Sequence, residues 1–242
     1  AAWRDAASGA AQLALIEGEA GIGKSRLAEE LFTWVRGQGV AAAYTRSYAA
    51  EGRLSLAPVT NWLRSPALRP HLAALGDVWL TEVSRLLPEL LAERPDLPRP
   101  EPIGEYGQRQ RFFESLARAV LAAPQPLLLW IDDVQWCDSE TLEWLHFLLR
   151  FEPRGALLIL GTARIEEALP HAPLTALAQQ LRSESRLVSI ELRPLDAAET
   201  ARLASQVEGR ALDDNAVFRL FHETEGNPLF VVETVRAGIG SA

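Results

Sequence analysis

The chain has 242 residues, 48% of them hydrophobic and 23% charged, which marks a globular protein with a sizeable core rather than a disordered or fibrous one. A net charge of -8 argues against a broad nucleic-acid-binding face, which needs clustered positive charge. No apolar run is long enough to span a bilayer, no signal peptide precedes the first strand, and the single cysteine, Cys137, can form no internal disulfide, so a cytoplasmic setting is expected. The chain opens on Ala1 instead of methionine, which reads as a fragment or a processed product.

Short apolar runs alternate with longer helical patterns along most of the chain, the signature of βαβ units around a parallel sheet. The first run, residues 12–16, leads into Gly18-Glu19-Ala20-Gly21-Ile22-Gly23-Lys24-Ser25, which fits G-x-x-x-x-G-K-[ST], the phosphate-binding P-loop. Lys24 is the only lysine in the chain; every other cation of this kind is an arginine. A compact ammonium fits inside a tight loop against a phosphate, whereas a planar guanidinium reaches outward. Glycines let successive backbone N–H groups turn into the loop, and the following helix adds the positive end of its dipole. Glu19 to Arg26 is therefore the expected nucleotide-contacting stretch. Lys24 is expected on the β- and γ-phosphates, and the Ser25 hydroxyl on Mg²⁺.

A helix starts at Lys24-Ser25, with Leu27, Leu31, Trp34 and Val35 on its apolar face. Residues 40–44 read as a second strand, and 56–91 as several short helices punctuated by prolines. Residues 94–102 hold too many prolines for helix or central strand and read as an exposed loop. A helix over 106–123 turns Phe112, Phe113, Leu116 and Val120 inward.

Residues 127–132 form an apolar strand that ends in two carboxylates, Asp132 and Asp133, the Walker B pattern. Many strands end in an aspartate that merely caps a helix, but a P-loop more than a hundred residues upstream makes this pair the second part of one site. Asp132 is expected to hold Mg²⁺ through its waters, and Asp133 to orient or deprotonate the attacking water. A helix follows at 139–150 and a buried strand at 156–162. Arg164, just beyond that strand, is expected to act as a sensor of the γ-phosphate. Residues 174–181 read as helix and 186–192 as a last strand. After Pro194 come three helices, near 196–206, 213–224 and 228–237, with no strand between them. The expected division is an α/β domain over 1–193 and a small helical lid over 194–242.

Other residues carry less. His71, His146, His171 and His222 show no metal-ligand spacing. Cys137 reads as a small residue beside the carboxylates, and Glu29-Glu30 and Glu166-Glu167 as solvated helix faces.

Together these stretches resemble a known family. Ile131-Asp132-Asp133-Val134-Gln135-Trp136-Cys137-Asp138 looks like the D-D-x-Q-W-x-D segment of STAND-class signal-transduction ATPases. More narrowly, it is similar to the AAA-type module of large bacterial LuxR-type and SARP/BTAD-type transcriptional activators. The loop through Leu27, the stretch Gly161-Thr162-Ala163-Arg164 (a T-x-R sensor) and Glu225-Gly226-Asn227-Pro228-Leu229-Phe230 (a G-N-P-L lid segment) agree with it.

The resemblance implies a P-loop fold with a parallel sheet in the order 5-1-4-3-2, flanked by helices and followed by the lid. It assigns Arg164 to the sensor and Pro228 to a place near the adenine. Trp136 is expected to pack into the core behind the carboxylates. Family members also carry a V-G-R-[ED] segment before the first helix, whereas this chain begins Ala1-Ala2-Trp3-Arg4-Asp5, so a weakened grip on the base is expected.

The implied function is an ATP-binding, slowly hydrolysing switch with ATP/ADP and Mg²⁺ as its cofactors. Its partners would be the effector or DNA-binding domains attached in a full-length protein, with nucleotide-dependent self-association as a further expectation. Two other readings stay open: a small-molecule phosphotransferase, and a nucleotide-binding scaffold without turnover.

Overall fold

A computed structural model of the chain describes residues 1–49, 55–102, 106–164 and 172–238. Glu166, Glu167 and His171, read above as surface or isolated residues, lie outside them.

A short helix α1 (Ala2–Ala7) precedes β1 (Gln12–Gly18), α2 (Lys24–Gly37) and β2 (Ala41–Arg46). The proline-punctuated stretch forms α3 (Ala57–Arg64), a 3-10 turn (Arg69–Ala74), α4 (Asp77–Val83) and α5 (Glu89–Glu93). Then come α6 (Tyr106–Leu121), β3 (Leu127–Asp132), α7 (Ser139–Phe151), β4 (Leu157–Arg164), α8 (Ala172–Ser183) and β5 (Leu187–Glu191). The chain continues through α9 (Ala197–Glu208), α10 (Asp214–Thr224) and α11 (Pro228–Arg236).

The five strands form one parallel sheet in the order β2-β3-β4-β1-β5, as expected from the sequence. This is the P-loop NTPase arrangement, with β4 inserted between the strand that leads into the glycine loop and the strand that carries the carboxylates.

Strand side chains alternate between the two faces of the sheet. Leu13, Leu15, Leu129, Ile131 and Ile159 join Trp62, Leu116, Trp144 and Leu148 in the larger core. Ala14, Ile16, Leu128, Trp130, Leu158 and Leu160 meet Ala6, Ala28 and Val35 of α1 and α2 on the other face. Burial on both faces explains why β3 and β4 read as unbroken apolar runs instead of alternating ones. Each fully buried leucine among them contributes about 2 kcal/mol. The two fully buried tryptophans still satisfy their indole N–H groups: Trp62 donates to the Trp130 carbonyl and Trp144 to that of Phe113.

Two apolar assignments need correction. Leu27 and Trp34 of α2 are 42% and 54% exposed; the helix turns Ala28 and Val35 to the sheet, with Leu31 half-buried. One sheet face covers only a narrow stripe of this helix, narrower than its apolar pattern. Trp136 is half-buried and lines a small surface cavity with Arg46, Ser47 and Tyr48, while Val134 and Gln135 occupy the interior behind the carboxylates.

The three helices after β5 share a small core of Ala204, Leu220, Val231 and Val235. Each has a side-chain cap at its N-terminus: Asp196 with a reciprocal Glu199 bond, Asp213 and Asn227. No helix among the described residues is long and apolar enough to cross a membrane.

Candidate functional site

The sheet brings four strand ends together at its carboxyl edge, the usual ligand position in open α/β sheets. Arg46 at the end of β2 is in register with Asp132 at the end of β3, and Gly18 at the end of β1 with Arg164 at the end of β4.

From Gly18 the chain turns sharply. Gly21 and Gly23 adopt φ of 79° and 101°, and Gly23 is the N-cap of α2. Gly23 brings no capping side chain to that terminus, and the first turn of a helix is where backbone N–H groups can meet an anion. Lys24 is buried and folds back over the loop, its ammonium donating to the carbonyls of Gly18 (2.9 Å) and Glu19 (2.6 Å). The Ile22 N–H approaches the same Glu19 carbonyl at 3.4 Å. Arg26 projects away along the helix surface to Glu29 and Glu30, so only its backbone faces the loop.

The Ser25 hydroxyl donates to Asp132 Oδ1 at 2.7 Å, and Thr162 Oγ1 donates to the same oxygen at 2.6 Å. Thr162 in turn accepts from the Asp133 N–H at 2.9 Å, so one hydroxyl ties both acidic residues to β4. Asp133 sits in a left-handed conformation with φ of 58°, which turns its side chain back toward β2. Arg46 donates to Asp133 Oδ2 through Nη2 at 2.8 Å and Nε at 3.2 Å, and Gln135 donates to Oδ1 at 3.2 Å. Arg164 Nε lies 4.0 Å from Asp133 Oδ1.

Asp132 and Asp133 are 3% and 8% exposed, and a buried carboxylate is costly without donors or opposite charge. Here the hydroxyls of Ser25 and Thr162 serve the first, and Arg46 serves the second. The Asp133 hydrogen bond holds the Arg46 guanidinium pKa above its ordinary value, more than desolvation lowers it.

The C-terminal helices reach the loop directly. Asn227 Nδ2 donates to the Ala20 carbonyl at 2.9 Å, and the Leu229 N–H donates to the Gly21 carbonyl at 3.2 Å. Pro228 is the first residue of α11, between these two contacts. Gly226, at φ of 74°, lies so close to the Leu195 carbonyl that a Cβ would sit 2.0 Å from it.

The fold thus gathers Lys24, Ser25, Asp132, Asp133 and Arg164, and sets Pro228 beside the loop. Arg46 escaped the sequence reading; an arginine at a strand end looks solvated until the register places it opposite Asp132. Thr162 was read only as part of a motif, and the amide of Asn227 not at all.

The donor set suits a hard divalent cation. Ser25 Oγ and Asp132 Oδ1 are both oxygens and stand side by side at the loop's exit. Among the described residues no group of three His, Cys, Asp or Glu could by itself hold a metal ion, so an ion here would complete its shell with water or phosphate oxygens.

Residues 1–160 match the family described as AAA ATPase domain. The chain belongs to that family. This AAA domain also resembles solved structures at low identity. A signal transduction ATPase with numerous domains and a tetratricopeptide repeat sensor, from Pyrococcus horikoshii, superposes with a TM-score of 0.51 at 18% identity, over 92% of this chain and 27% of its own. DnaA from Aquifex aeolicus, bound to AMPPCP, gives 0.51 at 16% identity, over 98% and 57%. A RuvB variant from Thermotoga maritima gives 0.50 at 10% identity, over 93% and 53%. At these identities the likeness is one of fold, and the AAA domain spans between about a quarter and three-fifths of those proteins. Curated proteins give no significant match.

Proposed function

We propose that this AAA domain is the ATP-binding, slowly hydrolysing switch of a larger signal-transducing regulator. The convergence of Lys24, Ser25 and the Asp132–Asp133 pair at one sheet edge, with Asn227 closing on the same loop, carries the reading. Lys24 and the loop N–H groups would hold the phosphates, and Pro228 would flank the base. Ser25 and Asp132 would hold Mg²⁺, which when bound neutralises phosphate charge. Asp133 would take a proton from the attacking water, its carboxylate held in place by Arg46 and Gln135. Arg164 stands where it would respond to charge near Asp133.

In this reading residues 194–242 act as a lid on the 1–193 domain, and nucleotide state sets how firmly the lid engages the loop. Domains attached in a longer protein would receive that signal. The motif resemblance to the AAA-type module of transcriptional activators suggests a DNA-binding effector, while the charge of -8 argues that this part does not itself read DNA. Nucleotide-dependent self-association and a cytoplasmic setting belong to the same proposal.

Titration of Lys24→Ala with labelled ADP and ATP tests it. Affinity should fall by roughly a hundredfold or more, the loss of charge-assisted bonds to phosphate, with the melting temperature close to the parent's. Equal affinity in the variant and the parent would overturn the site.

A further inference from the structure

The glycine loop has two sides. Its Ala20 and Gly21 carbonyls face the C-terminal helices, held by Asn227 Nδ2 and by the Leu229 N–H. On the other side the Ile22 N–H and the Lys24 ammonium converge on the Glu19 carbonyl, at 3.4 Å and 2.6 Å. A trans peptide points its C=O and its N–H in opposite directions. The grip on Ala20 O therefore sets the direction of the Gly21 N–H, and the grip on Gly21 O that of the Ile22 N–H. Both N–H groups are turned away from the lid.

We propose that Asn227 is a positioning residue for the phosphate loop: its side-chain amide, 207 residues downstream, holds the Ala20 carbonyl outward and keeps the loop's N–H donors aimed at the phosphate position. This rests on the nucleotide reading of the site. Both ends of the amide are in use. Oδ1 accepts from the Leu229 N–H at 3.1 Å, which caps α11, while Nδ2 reaches across to the loop. The two partners, one N–H and one carbonyl, fix which end is oxygen. Serine or aspartate would cap the helix as well, but the serine hydroxyl is too short to reach the Ala20 carbonyl and a carboxylate has no donor to offer it.

The contact is close and leaves little slack. Asn227 is buried, and a Cβ on Gly21 would meet its Oδ1 at 2.8 Å and the Leu229 Cβ at 2.9 Å. Behind it the Leu195 N–H donates to the Gly226 carbonyl at 2.9 Å, anchoring the turn that presents the amide. The loop shape needed to bind phosphate is thus supported from the lid. A lid displaced from the loop releases the two carbonyls, and the donors lose their fixed aim.

The test compares Asn227→Ser, a neutral cap too short to reach Ala20, with Asn227→Ala in the whole chain. Three quantities are measured: ADP affinity by calorimetry, the ¹⁵N amide signals of Gly21 and Ile22 without nucleotide, and amide exchange over residues 228–236. Asn227→Ser should bind ADP about tenfold more weakly and shift or broaden the two loop signals, while exchange over 228–236 stays as in the parent. If Asn227→Ser matched the parent in ADP affinity and loop signals, and only Asn227→Ala were weakened, Asn227 would be a helix cap and the proposal would be overturned. A parent chain that bound no ADP would instead remove the nucleotide reading, and this inference with it.

Discussion

Ser25 and Asp132 are 107 positions apart in the chain, yet the hydroxyl of one donates to the carboxylate of the other at 2.7 Å. The bond ties the first turn of α2 to the end of β3, and Thr162 completes it from β4. Three separate segments therefore meet on a single carboxylate oxygen. Ser25→Ala removes one oxygen of the proposed cation site and leaves the loop donors in place. The Mg²⁺-dependent part of ADP affinity should drop by about tenfold, while affinity in EDTA stays near the parent's. Paired titrations with Mg²⁺ and with EDTA check this; an unchanged Mg²⁺ effect would remove Ser25 from the cation site.

Asp133→Asn keeps the shape of the side chain and its bond to Arg46 but removes the charge and the basic oxygen. ADP and ATP should still bind. Hydrolysis should fall by roughly 10² to 10⁴, the usual contribution of a positioned base. Phosphate release under single-turnover conditions measures it, and hydrolysis at the parent rate would rule out the role given to Asp133.

Cys137 makes a pH prediction. Burial pushes its thiol up to about 12, more than the Ser47 hydrogen bond lowers it. A raised folded-state pKa favours the neutral thiol, so its contribution to stability is complete below the unfolded value, near 9, and is lost as pH rises toward 12. Urea midpoints should decline across that alkaline window in the parent and less in Cys137→Ala. Iodoacetamide at neutral pH should leave the native thiol unlabelled and modify it only on unfolding; rapid native labelling would contradict the buried position.

Gly226→Ala places a methyl group 2.0 Å from the Leu195 carbonyl, at a backbone φ of 74° that alanine adopts poorly. The C-terminal helices should lose about 2 kcal/mol or more against the sheet domain. Hydrogen exchange resolves this, with protection falling over 196–236 and holding over 127–164. Uniform protection in the variant would show that the turn adjusts freely.

The reading of the sequence succeeded where one chemical demand dictates a residue type. Apolar runs at 127–132 and within 156–162 indicated buried strands, and the lone lysine after two glycines marked the turn from β1 into α2. It failed where the partner is set only in three dimensions. Arg46 is one arginine among many until β2 lies beside β3. Leu27 and Trp34 keep a helical period, but periodicity carries no information on how wide a stripe the sheet covers. The resemblance pointed to Pro228, while its neighbour Asn227 grips a backbone carbonyl, and a backbone partner leaves no trace in residue identity.

The strand order also governs when the site can exist. β1 ends at Gly18, but its two neighbours are β4 and β5, which begin at Leu157 and Leu187. On a ribosome adding about 5–20 residues per second, β1 and its glycine loop wait roughly seven to thirty seconds before a pairing strand is made. During that interval Leu13, Ala14, Leu15 and Ile16 are apolar residues with no sheet to enter. The glycine loop is thus synthesised more than a hundred residues ahead of the strands that hold it in place, which makes the nascent β1 segment a substrate for chaperones during that interval.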